Sequence, residues 1–248
     1  MFGQPFEVRQ PYKTALIPER DTANGPITSA RLRRAGLGYL ALAGAGLALA
    51  WLAASPGLQA FALGLIVPGG GDFADTVRDH YRRYHVSETT AHRMALLAMD
   101  QYGWLLSDLI PDSEAVRDVL AAREAAANGR VSILLAATLL IEADPLPHSW
   151  QVTSDSIAAW IAGLVGAVRC MLLKDVDGLF SAQSGSAQLL PAMCVKELKE
   201  HRGGVDEYLS VVLASLDLET WVINGQQPDR LVELLNTGQT IGTCISRG

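Results

Sequence analysis

One stretch limits what this chain can become more than any other. From Ala35 to Gly71 the sequence AGLGYLALAGAGLALAWLAASPGLQAFALGLIVPGGG carries no ionisable side chain except Tyr39. An apolar run of about 18 residues or more is long enough to cross the hydrocarbon of a bilayer, so the stretch predicts a membrane segment. Ser55-Pro56-Gly57 interrupts it, because proline removes a helix hydrogen bond and biases the residue before it away from helical geometry. The half before the break, Ala35 to Ala53, is long enough to span, whereas Leu58 to Val67 is too short. Two readings are open: a single span continued by an interfacial helix, or a broken helical hairpin returning to its starting side.

Charge bears on that choice. Arg31, Arg33 and Arg34 precede the stretch and, by the positive-inside rule, hold the N-terminus in the cytoplasm; Arg78, Arg82 and Arg83 come after it. Basic flanks on both sides lean towards the hairpin, and the expected location is the inner or plasma membrane of a bacterium. Gly36, Gly38, Gly44 and Gly46 leave the first membrane helix smooth, a face on which a partner helix packs closely, so membrane lipid and protein partners within the membrane are expected. Pro68-Gly69-Gly70-Gly71 reads as a hinge at the membrane edge. Successive glycine amides also build anion-binding nests, but Asp72 and Asp75 place negative charge beside this one and argue against that role.

The rest of the chain reads as helical. Residues 1–34, with Pro5, Pro11, Pro18 and Pro26 among polar residues, form an extended arm. After the membrane segment at 35–71, two helical lobes are expected at 72–143 and 150–248, divided by the prolines of DPLPHSW. Within them, Phe73 to Tyr84 is amphipathic, and Ser87 caps a helix with apolar residues at three- and four-residue steps. Pro111-Asp112 caps a third helix that ends at Asn128-Gly129. Val131 to Ile141 is a buried helix with a strand as the alternative, and Thr153 to Leu172 is a helix apolar nearly all round, read as the centre of a bundle with a second membrane span as the alternative, because Arg169 within it would be a costly charge in lipid. Pro191 to His201, Asp206 to Ile223 and Asp229 to Leu235 complete the series. The predicted fold class is all-α.

Chemistry is sparse in this reading. The densest polar group is His80, Tyr81, Tyr84, His85, Glu88 and His92. Glu88 and His92 lie four apart, on one helix face, and with His85 they are the candidate catalytic or metal-ligating set, although the spacing is no zinc-helix signature. Asp175-Val176-Asp177-Gly178 resembles a fragment of a calcium loop without its later acidic ligand and is read as a helix-ending turn. A net charge of −6 argues against nucleic acid as a partner, since phosphate binding needs a basic stripe. Three widely spaced cysteines read as free thiols. No cofactor is expected. The function these features favour is a non-catalytic, membrane-anchored scaffold or assembly subunit; the alternative is a membrane-surface enzyme acting on an apolar or lipid-like substrate through the His85, Glu88 and His92 centre.

Overall fold

The computed structural model of the chain describes residues 47–52, 63–181 and 187–248. Its centre is a sheet, not a helical bundle. The strands are β1 (Leu47–Leu52), β2 (Leu63–Val67), β3 (Ser113–Val116), β4 (Val131–Leu134), β5 (Arg169–Lys174), β6 (Ala192–Cys194), β7 (Glu219–Asn224) and β8 (Thr243–Ser246). The helices are α1 (Gly71–Tyr84), α2 (Glu88–Leu109), α3 (Val119–Ala127), α4 (Ala137–Ala143), α5 (Ser154–Val165), α6 (Val195–Glu200), α7 (Leu209–Ala214) and α8 (Pro228–Thr237). Among the described residues the strands join in one eight-stranded sheet of order β3-β4-β2-β1-β5-β7-β8-β6. The segments expected as two helical lobes, 72–143 and 150–248, both contribute strands to it.

The sheet corrects the all-α expectation, and with it the membrane segment. Two parts of the apolar stretch, Leu47–Leu52 and Leu63–Val67, are antiparallel neighbours, with Ala50 opposite Leu65. Strands covered by helices on both faces are apolar at every position rather than at alternate ones, so they imitate the composition of a membrane helix. No helix among the described residues is long and apolar enough to cross a membrane, which removes the basis for placing the chain there. The supposed partner face at Gly36, Gly38, Gly44 and Gly46, and the Ser55-Pro56-Gly57 break, lie outside the described residues.

Side-chain alternation along the strands builds two cores. Leu65, Val67, Leu134, Cys170, Leu172 and Val222 face one cluster with α3, α4 and α5. Ile66, Ile133, Met171, Leu173, Trp221 and Ile223 face the other, against Tyr102 and Leu106 of α2 and Leu231 and Leu234 of α8. The result is a helix–sheet–helix sandwich. Leu65, Ile66 and Val67 are fully buried, each stabilising the fold by about 1.5–3 kcal/mol.

Strand direction decides where a ligand can sit. β1 is antiparallel to both β2 and β5, so β2 and β5 run the same way, and β4, β3 and β7 run with them. The carboxyl ends of β2, β4, β5 and β7 therefore open on one edge of the sheet, where α/β folds hold their ligands.

Candidate active site

The site is built by the segments that leave the strands on that edge. After β2, Pro68 stops the ladder and three glycines turn the chain into α1. Gly70 adopts the right-handed helical region (φ −83°) and Gly71 a positive φ of 48°. That alternation turns successive amides to one side, as in an anion-binding nest. Gly70, the N-cap of α1, has no side chain with which to cap the helix, so the first-turn amides and the positive end of the helix dipole remain available to a ligand. A Cβ on Gly70 would lie 2.4 Å from the Cβ of Ala74, which explains why glycine stands there.

The last residue of β5 is Lys174, whose Nζ donates to Oδ2 of Asp155 at 2.7 Å. Asp155 lies in the first turn of α5 and is 3% exposed. Burial pushes its carboxyl above the ordinary carboxylate range, the Lys174 ammonium works in the opposite direction, and the nearby Asp206 adds to the rise. Lys174 and Gly69, Gly70 and Gly71 line one cleft of about 380 Å³, walled by Asp72, Asp75 and Arg78 of α1, by His92 of α2 and by Trp150. Arg78 pairs with Asp75 and lies over the Trp150 ring, 5.2 Å from its centroid. A second cavity of about 670 Å³ adjoins the cleft, sharing Trp150 and Thr153 with it, and brings Lys199, His201 and Arg202 to its wall.

The histidine and glutamate expected to form a centre do not converge. His85 is the exposed C-cap of α1 (φ 53°), Glu88 is exposed in the first turn of α2 beside the second cavity, and His92 borders the main cleft. Among the described residues no group of three or more His, Cys, Asp or Glu side chains is placed to hold a metal ion. His92 instead stacks on His148 at 4.4 Å, and His148 bonds Thr89 and Asp144. Sequence reasoning does not single out Asp155, Lys174 or Asp206, and it reads the glycine turn as a hinge beside Asp72 and Asp75, both of which line the cleft. The signals are present: a lone carboxylate opening an apolar helix, a lysine closing an apolar run, and glycines between a β-branched run and an amphipathic helix.

The two titrations predict different acid behaviour. Chemistry in this cleft that needs an ionised Asp155 should fall as pH drops through a value above 3.8. Because this carboxyl is raised in the folded state, its protonation does not itself destabilise the fold. His92 acts oppositely: burial first, and His148 second, hold its imidazole below 6.5. Stability linked to His92 is fully present above pH 6.5 and is lost as pH falls through the lowered folded value. Activity and thermal melts measured over the same pH range should therefore separate, and His92→Asn should remove part of the acid loss of stability while leaving the activity limb in place.

Comparison with known proteins matches this arrangement to a family. The model of the amino acid kinase family matches residues 64–217, from β2 to just before β7. A [5-(aminomethyl)furan-3-yl]methyl phosphate kinase of Methanocaldococcus jannaschii is 29% identical over 181 residues, covering 73% of this chain and 82% of that enzyme. An acetylglutamate kinase of Bifidobacterium longum is 26% identical over 149 residues, which span 57% of this chain and only 46% of that enzyme. Among solved structures, UMP kinase from Bacillus anthracis has a TM-score of 0.62 at 16% identity, covering 92% of this chain and 91% of that one. Uridylate kinase from Archaeoglobus fulgidus has a TM-score of 0.54 at 22% identity, covering 72% and 82%. At those identities the structural likeness speaks to the fold alone. These matches overturn the expectation of a non-catalytic scaffold anchored in a membrane complex: the chain belongs to the amino acid kinase family.

Proposed function

We propose that this chain transfers the γ-phosphoryl group of a nucleoside triphosphate to the phosphate of a small phosphomonoester, releasing a nucleoside diphosphate and leaving a diphosphate on the acceptor. An acceptor phosphate oxygen forms the new bond to γ-phosphorus as the bond from γ-phosphorus to the β,γ-bridging oxygen breaks. Donor and acceptor are both anionic, so catalysis rests on holding them together and offsetting charge as it redistributes.

The observation carrying this reading is that a cation fixed by a buried carboxylate, Lys174 on Asp155, shares one cleft with the glycine turn at the start of α1. The turn holds the acceptor phosphate through its amides, Lys174 meets the transferring group, and Lys199 and Arg202 in the adjoining cavity attract the donor's phosphates. A divalent cation carried by the donor nucleotide would offset charge on the transferring phosphates. The name of the Methanocaldococcus jannaschii relative supports a phosphomonoester as acceptor. Asp72 on the cleft wall suits an acceptor bearing an amine.

The test is to incubate the purified chain with ATP, magnesium and a panel of phosphomonoesters including [5-(aminomethyl)furan-3-yl]methyl phosphate. Acceptor-dependent release of ADP is measured together with the coupled phosphorus-31 signals of a diphosphate. ADP released only with N-acetylglutamate, or with no dependence on acceptor, would sink the reading.

A further inference from the structure

Asp206 belongs to none of the elements that carry the reaction, yet it gathers more hydrogen bonds than its place before α7 needs. Its Oδ2 accepts from the Thr153 amide at 2.8 Å, the Thr153 hydroxyl at 2.9 Å and the Ser156 amide at 2.9 Å. Its Oδ1 accepts from the Leu209 amide at 2.9 Å and from the Ser156 hydroxyl. Thr153 is the N-cap of α5 but makes no capping bond with its own side chain. The acceptor that a cap residue normally supplies comes instead from a carboxylate about fifty residues along the chain. The same residue's backbone amide donates to Oδ2 of Asp155 at 3.1 Å, the oxygen that also receives Lys174.

We propose that Asp206 is the positioning residue of the kinase site, capping α5 from a distance and binding Asp155 through its amide, so that Asp155 and Lys174 are held where the phosphoryl group passes. The inference rests on the kinase reading above. Asp206 also borders the cavity of Lys199 and Arg202, so it joins the wall of the donor cavity to the floor of the acceptor cleft. A displacement of about 1 Å in such a constellation can cost about 100-fold in rate.

A capping residue of merely structural value lowers stability and leaves the chemistry of the folded fraction alone. A positioning residue lowers kcat in protein that is fully folded. Asp206→Asn retains one carbonyl oxygen for the α5 amides but sets its NH₂ against the Leu209 amide. It is expected to lower kcat about tenfold with both KM values within about threefold of the parent, and Asp206→Ala to lower kcat about 100-fold. Thr153→Val, which removes only one hydroxyl bond, should cost about threefold and keeps the test open if the Asp206 variants fold poorly. In an Asp155→Asn background, Asp206→Asn should cost little more, because the two act as one unit. Additive losses, or an unchanged kcat with only a lower melting temperature, would overturn the proposal.

A second readout needs no turnover. The groups facing Asp155 are Lys174, Asp206 and the Cys170 thiol, which burial pushes up to about 12 and keeps neutral. Removing the Asp206 charge should therefore lower the Asp155 titration, read by carbon-13 NMR of the side-chain carboxyl. The amides of residues 154–157 should also exchange faster with solvent. If neither changes in the variant, Asp206 does not position Asp155, whatever the acceptor proves to be; if both change in a chain without acceptor-dependent turnover, the kinase reading fails and the structural coupling stands.

Discussion

Lys174→Met is expected to lower kcat by about 10²- to 10³-fold, the range for deleting one preorganised donor from a site where charge develops. Lys174 is mostly buried at the carboxyl end of β5, with its ammonium fixed on Asp155, so it cannot be replaced by a water at the same place without loss. Acceptor KM should change much less, because the proposed reaction anchors the acceptor's phosphate on the glycine turn. The fold should survive: Asp155 already has its carboxyl raised by burial, and without Lys174 it rises further and takes up a proton rather than remaining charged and unpaired. Lys174→Arg should recover only part of the rate, since a planar guanidinium does not occupy the ammonium's position. Steady-state kinetics with a thermal melt on each variant decide the matter; a kcat within about threefold of the parent for Lys174→Met would remove this residue from the mechanism.

Gly70→Ala is expected to act on the other half of the site. The new Cβ would be 2.4 Å from the Cβ of Ala74, itself buried at the α1–α2 contact, so neither atom can move without moving the helix. Overpacking of this kind costs about 1–3 kcal/mol, and the shift it forces is at the turn proposed to hold the acceptor phosphate. Acceptor KM should rise about tenfold or more while donor KM holds. Isothermal titration with inorganic phosphate or a phosphomonoester measures the loss directly, and unaltered acceptor binding in a folded variant would show that the glycine turn is only a hinge.

How much of this is legible in the sequence depends on the kind of element. The amphipathic helices are readable from periodicity and caps: α1, α2 with its Ser87 cap, and α8 lie close to where the sequence puts them. Strands buried on both faces are not readable, because nothing alternates in them. Thr153 to Leu172 looks like one apolar helix, yet Gly166, at φ 70°, ends α5 and the same apolar composition continues as β5. Arg169, a costly charge within that supposed helix, pairs with Glu219 across the β5–β7 ladder. Asp206 to Ile223 divides in the same way into α7 and β7. Val131 to Ile141 carries its alternative openly: it begins as β4 and ends in α4. The site is harder still, because Gly70, Asp155, Lys174 and Asp206 are distant in sequence and only the sheet order brings them together.

That order has a kinetic meaning. β1 lies between β2 and β5 and pairs with both, so the glycine turn and Lys174, more than a hundred residues apart in the chain, face one another only once the long-range β1–β5 ladder has closed on the strand that already pairs locally with β2. Helices such as α2 need no such closure and form early. After dilution from denaturant, far-ultraviolet ellipticity should recover well before enzymatic competence, and the interval between them times the seating of this central strand.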